Sequence, residues 1–143
     1  MVANVFLDTN IFLYSVDEAP DAASKRAVSQ QLLLTEHWAW SVQVAAEFFV
    51  NATSAKRTFR LNATDALALV DVWFAFPTIQ LTPALFREGV LVSQRFQLSY
   101  WDAAILAAAK QQGCHTVFSE DLNHGQNYDG VTVVNPFLPH LTK

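Results

Sequence analysis

Val5-Phe6-Leu7-Asp8-Thr9-Asn10 is the stretch that decides how this chain folds. Three consecutive apolar residues read as a short strand buried on both faces, the kind that fills the middle of a parallel sheet, and the strand is expected to reach back to Val2. Asp8 ends the run without a break. A carboxylate at the edge of a core is costly unless it is hydrogen-bonded, paired or set against a cation. The same junction recurs along the chain. Glu47 sits inside Val42-Gln43-Val44-Ala45-Ala46-Glu47-Phe48-Phe49-Val50, Asp102 lies between Trp101 and Ala103-Ala104-Ile105-Leu106, and Glu120-Asp121 follows Thr116-Val117-Phe118. Acids repeatedly set against apolar runs in a small chain suggest one acidic pocket built around a metal ion.

Outward from the first strand, helical and extended patterns alternate. A short helix is expected over 10–14 and a longer one over 21–34, with Asp21 near its cap. Residues 37–41 read as a strand in which Trp38 and Trp40 alternate with Ala39. Helices are expected over 42–55, over 64–74 with Asn62 as cap, from Pro83 to about Arg95, and from Trp101 to Gln112, where Gly113 stops it. Short strands are expected over 78–81, 115–118 and 131–134, and the tail from Pro136 to Lys143 reads as irregular. This alternation points to a mainly parallel sheet of four to five strands covered on both faces.

Composition narrows the function. The chain has 143 residues, 52% hydrophobic and 15% charged, which suits one domain spanning 1–143 and excludes wholesale disorder. A net charge of −4 argues against coating nucleic acid by bulk electrostatics, but not against an enzyme that acts on it. No apolar stretch reaches the ~20 residues needed to span a bilayer, so no membrane partner is expected. The N-terminus lacks the features of a signal peptide. Cys114 is the only cysteine, which rules out an internal disulfide and makes a reducing cytoplasm the expected compartment.

Asp8 and Glu120-Asp121 both come directly after predicted strands, and Ser41 ends another. Active sites of open parallel sheets form beyond such strand ends, where strand order reverses. The helix opened by Ser41 carries Gln43, Glu47 and Asn51 on one face. Asp102, in the first turn of its helix, could point to the same edge. Mg²⁺ and Mn²⁺ prefer carboxylate oxygens, whereas the four histidines lack close metal-ligand spacing, so zinc is not expected. Each acid also has a local reading. Asp8-Thr9-Asn10 and Ser99-x-x-Asp102 read as helix caps, Glu47 as the wet edge of a helix, and Glu120-Asp121 as a turn. His124 reads as a loop histidine or a substrate contact. Lys25-Arg26, and the cluster of Lys56, Arg57 and Arg60, read either as solvated helix ends or as contacts to a phosphate backbone. Leu32, Leu33, Trp73, Phe74 and Phe76 exceed the core that the pattern can place, and read as core or as packing against another chain.

With these residues in order, the chain resembles the PIN-domain ribonucleases, particularly the VapC toxins of bacterial toxin–antitoxin pairs. Val5–Asn10 resembles the first acidic motif, Ser41–Phe48 the second, Leu98–Ala103 the third and Ser119–Gln126 the fourth. The resemblance covers nearly the whole chain. It implies an α/β fold of three layers, α/β/α, and a metal-dependent endoribonuclease in which Asp8, Glu47, Asp102 and Asp121 hold Mg²⁺ or Mn²⁺. A metal-activated water would hydrolyse the RNA phosphodiester bond. Asp121 rather than Glu120 is the fourth acid because the family pattern places it two residues after a Ser or Thr, here Ser119. Thr9, Asn10, Ser119 and Glu120 would support the quartet, with Gln43 and Asn51 behind them, and Lys56, Arg57 and Arg60 would hold RNA. The resemblance also implies a VapB-like antitoxin as partner and a homodimer.

Other classes fit less well. A catalytically silent PIN-like module that binds RNA or protein would not need the quartet. A receiver domain needs adjacent acids after its first strand and a lysine after its last, whereas Asp8 stands alone and no lysine comes after Val131–Val134. An aspartyl phosphatase needs an acid two residues after its nucleophile, where this chain has Asn10.

Overall fold

Strand β1 (Val5–Leu7) is buried throughout and lies at the centre of the sheet, as its apolar run demands. The structure, a computed structural model, describes residues 3–139, so Val2 and residues 140–143 of the expected strand and tail lie outside the described residues. Strand β2 (Trp38–Ser41) pairs parallel to β1 on one side, and β3 (Thr78–Ile79) extends that side. On the other side of β1 come β4 (Thr116–Phe118) and β6 (Val131–Val134), both parallel, then β5 (Asn127–Tyr128), antiparallel at the edge. The order is β3-β2-β1-β4-β6-β5. The chain thus builds outward from β1 in one direction and then returns to build in the other, which sets the switch point between β1 and β4.

The sheet has six strands, not four to five. The added strand, β5, is two residues long, too short to show a hydrophobic period. Its signal was the Asp129-Gly130 pair. Both residues take positive φ, 54° and 104°, the geometry of the two-residue hairpin turns that join antiparallel strands, and the Gly130 amide donates to Asn127 Oδ1 at 2.7 Å.

Helices flank the sheet: α1 (Thr9–Ser15), α2 (Ala23–Thr35), α3 (Val42–Ala52), α4 (Ala63–Trp73), α5 (Pro83–Phe96) and α6 (Tyr100–Gln111). Asn62, Thr82 and Ser99 each accept a backbone N–H at the start of α4, α5 and α6. Two helix ends differ from expectation by more than one residue. Pro20 opens a single 3-10 turn, Pro20–Ala22, so Asp21 does not cap α2. Helix α3 stops at Ala52, three residues short of the expected Ala55: the Thr53 hydroxyl bonds back to the Phe49 carbonyl and the Leu61 amide takes the Ala52 carbonyl.

The two faces of β2 explain the two sides of the core. Trp38 and Trp40 share one face and surround Phe12 of α1, at ring-centroid distances of 5.3 and 4.8 Å; Trp73 of α4 completes the group at 4.9 Å. The indole N–H groups of Trp38 and Trp40 donate to the Leu33 carbonyl and to Thr78 Oγ1, which makes their full burial tolerable. Ala39 takes the opposite face, and α6, with five buried alanines, packs against the sheet closely. The surplus of apolar residues is smaller than the sequence suggested. Trp73 is core, Phe76 stacks on Trp38 at 3.9 Å, and Leu32 and Leu33 pack against the core; of the five only Phe74 is exposed.

Candidate active site

Register brings the acids together. Leu7 pairs with Phe118, so Asp8 and Ser119 leave the ends of β1 and β4 side by side. The Asp8 amide donates to the Phe118 carbonyl, and the Ser119 amide to the Val134 carbonyl, which pins both ends to the sheet. Asp8 caps α1: its Oδ1 accepts the Thr9 amide at 2.7 Å. Its Oδ2 accepts the Ser119 hydroxyl, also at 2.7 Å. The capping reading is therefore correct and does not exhaust the residue, because a cap alone does not need a buried carboxylate with a second donor from across the sheet.

Further hydrogen bonds join the neighbouring acids. The Thr9 hydroxyl donates to Glu47 Oε2 at 2.9 Å, and Gln43 Nε2 donates to Glu47 Oε1 at 2.8 Å. Asn10 Nδ2 donates to Asp121 Oδ2 at 3.1 Å, and the Asp121 amide donates to Ser119 Oγ at 3.1 Å. Asn51 donates to the Glu47 carbonyl rather than to its carboxylate, so it braces the helix. Asp102 sits in the first turn of α6, half-buried, its amide held by Ser99 Oγ at 3.2 Å.

Electrostatics tie the four acids into one cluster. Burial pushes the Asp8 carboxyl up to about 6; the Ser119 and Thr9 donors oppose this, and the charges of Asp121 and Glu47 add to it. Asp102 is raised first by burial, against the Ser99 hydrogen bond, and then by Asp121 and Glu47. No lysine or arginine pairs with any of the four among the described residues. Asn10 Oδ1, beside the cluster, is buried and without a hydrogen-bond partner. An all-oxygen set of mutually repelling carboxylates next to an orphaned amide oxygen fits a hard divalent cation chemically. As they stand, no three histidine, cysteine or acidic side chains among the described residues converge closely enough to enclose one ion, so binding would have to draw the carboxylates inward.

The remaining expected residues divide. Glu120 turns away from the cluster: it accepts the Tyr14 hydroxyl at 2.6 Å and Lys25 Nζ at 2.5 Å. Lys56 and Arg60 are exposed on the segment after α3. Arg57 is half-buried, donating to the Leu13 carbonyl at 3.2 Å and lying 3.8 Å from Asp17 Oδ2, so it ties that segment to α1. His124 Nδ1 accepts the Asn135 amide at 3.0 Å. Tyr14 and Lys25 went unmarked as partners of the site; the only signal was that Tyr14 lies four residues after Asn10 on one helix. A cavity of about 370 Å³, lined among others by Arg95, Phe96, Leu106, Lys110 and Tyr128, touches none of the four acids, which lie at the sheet edge instead.

The PIN domain family model matches residues 5–129, a span that holds the sheet centre and all four acids. The chain belongs to the PIN domain family. Solved structures share the PIN architecture at low identity. VapC20 of Mycobacterium tuberculosis, described as a toxin that cleaves the sarcin-ricin loop, is 17% identical with a TM-score of 0.65, over 82% of this chain and 91% of its own. A toxin–antitoxin complex from Klebsiella pneumoniae gives 21% and 0.64, over 92% and 97%. FitAcB from Neisseria gonorrhoeae gives 20% and 0.59, over 93% and 98%. At these identities the likeness to the solved structures is one of fold. No curated protein matches this PIN domain by sequence. Among the described residues no helix is long and apolar enough to cross a membrane.

Proposed function

We propose that this PIN domain is a divalent-metal-dependent endoribonuclease and the toxin of a VapBC-type toxin–antitoxin pair. The observation that carries the reading is the acidic cluster at the β1/β4 switch point. Its carboxylates are uncompensated by cations yet held by dedicated donors, Thr9, Gln43, Asn10 and Ser119. The toxin assignment is supported by fold neighbours that are toxins or toxin–antitoxin complexes.

In this reading Asp8, Glu47, Asp102 and Asp121 hold Mg²⁺ or Mn²⁺. When bound, the cation would acidify water and offset charge on the scissile phosphate. The protein's own share is orientation and charge. Ser119 and the Thr9 amide fix both oxygens of Asp8, so the carboxylate presents one direction to the site. Thr9 and Gln43 hold the two oxygens of Glu47 in the same way. Asn10 restrains Asp121. Clustered negative charge keeps a phosphodiester away until a cation is present, which makes activity depend on the metal. Lys56 and Arg60, exposed on the segment after α3, would hold the RNA backbone. The products would carry 5′-phosphate and 3′-hydroxyl ends. A VapB-like antitoxin, a homodimer and action in the cytoplasm complete the proposal.

The test is cleavage of total cellular RNA by the antitoxin-free protein with Mg²⁺, Mn²⁺ or EDTA, beside Asp8→Asn. Discrete fragments that require both metal and Asp8 are expected. The open spacing of the carboxylates favours a second reading, a PIN-like module that binds without cutting. Absence of cleavage together with absence of Mn²⁺ binding by the folded protein would select it.

A further inference from the structure

Glu120 and Asp121 are consecutive, yet they answer to different partners. Both partners lie on one face of α1: Asn10 holds Asp121, and Tyr14, four residues on, holds Glu120. Lys25 comes in from α2. Its Nζ reaches Glu120 Oε2 at 2.5 Å and Tyr14 Oη at 3.2 Å, and lies 4.8 Å from the Tyr14 ring centroid and 5.6 Å from that of Phe137. Phe137, beyond β6, meets the Tyr14 ring edge-on at 5.1 Å. Two helices thus close on one carboxylate that does not belong to the acidic cluster, and Phe137 packs against both of the side chains that hold it.

The turn that carries Asp121 explains why this matters. Asp121 itself is exposed, and its backbone is anchored by a single amide hydrogen bond to Ser119 Oγ. Its neighbours hold it from both sides: Glu120 through Tyr14 and Lys25, and Leu122 through burial in the core. Lys25 also neutralises the one acid next to the cluster that would otherwise compete for a cation or add to the repulsion there.

We propose that Lys25, Tyr14 and Glu120 form a positioning latch that presents Asp121 to the cation site and keeps Glu120 out of it. The latch rests on the metal-dependent reading above. Outer partners of metal ligands change affinity about 10–100-fold when removed, and a latch one residue away belongs at the lower end.

The experiment is calorimetric titration of Mn²⁺ alone into the wild-type protein, Lys25→Met, Lys25→Arg, Glu120→Gln, the Lys25→Met/Glu120→Gln double variant and Asp121→Asn, with melting measured in EDTA. Lys25→Met and Glu120→Gln should each bind Mn²⁺ about tenfold more weakly. The double variant should be no weaker than either single one, because both break the same contact. Lys25→Arg, which keeps a donor for Glu120, should recover most of the affinity. Lower melting temperature with unchanged or tighter Mn²⁺ binding in Lys25→Met and Glu120→Gln would overturn the latch and leave a structural ion pair. Should Asp121→Asn bind weakly while those two bind normally, the latch alone fails. Should the wild-type protein bind no Mn²⁺, or Asp121→Asn bind as well as wild type, the metal reading of Asp121 fails and takes the latch with it.

Discussion

Replacing Asp8 with Asn should stabilise the cation-free protein while it abolishes cleavage. Asp8 is 6% exposed, and burial raises its carboxyl from 3.8 to about 6, so the folded protein holds this proton more tightly than the unfolded chain does. Stability contributed by Asp8 is therefore greatest below pH 3.8 and falls as pH rises through about 6, where the carboxylate is forced to ionise in place. A shift of about two units is worth about 3 kcal/mol at pH 7. Asn removes that penalty at little steric cost. Its Oδ1 can still accept the Thr9 amide, and its Nδ2 can donate to Ser119 Oγ, since a hydroxyl accepts as well as donates. For a chain of this size the gain corresponds to a melting temperature higher by about 9 °C. The assay is thermal unfolding of both proteins in EDTA from pH 4 to pH 8. The gap should be full at pH 7 to 8 and shrink as pH falls toward 3.8. Saturating Mn²⁺ should reverse the order, because the wild-type protein alone keeps the complete donor set. An Asp8→Asn protein that melts at or below wild type in EDTA at pH 7, or a gap that ignores pH, would refute the argument that Asp8 is held ionised against its environment.

Other perturbations probe the remaining parts. Ser119→Ala removes the donor to Asp8 and the acceptor for the Asp121 amide together; it should cost about 1–3 kcal/mol in urea unfolding and push the Asp8 carboxyl further up, visible as a shifted pH profile of stability. Phe12→Ala empties the centre of the Trp38, Trp40 and Trp73 group and should cost about 3–5 kcal/mol, with loss of the near-ultraviolet tryptophan circular dichroism. Lys56→Ala with Arg60→Ala should raise KM for RNA and flatten its salt dependence without moving the melting temperature, whereas Arg57→Ala should lower the melting temperature, since Arg57 holds the Leu13 carbonyl.

The positions of the acids were legible because the forces that put them there are local. An apolar run too short for a helix becomes a strand, and the polar residue at its end caps the next helix or turn; Asp8, Ser41 and Ser119 all obey that rule. The alternation of strands and helices, and hence the parallel sheet, came from the same residues. Strand β5 was not legible: two residues carry no period, and only the Asp129-Gly130 turn marked it. For Leu32, Leu33, Trp73, Phe74 and Phe76 the sequence leaves core and packing against another chain both open, and the structure takes all but Phe74 into or against the core. Trp73 and Phe76 find their cavity only when β2 presents Trp38 and Trp40 on one face, an arrangement of segments far apart in the chain.

The sequence by itself determined which acids end which strands and which hydroxyls cap which helices, because burial and capping act within a few residues. The family pattern points to Asp121 over Glu120, but only the tertiary structure supplies the physical reason the two adjacent side chains part: Asn10 takes one, and Tyr14 with Lys25 the other. It likewise took Arg57 from the free basic surface and left Lys56 and Arg60 there, because only the folded chain brings the Leu13 carbonyl within reach.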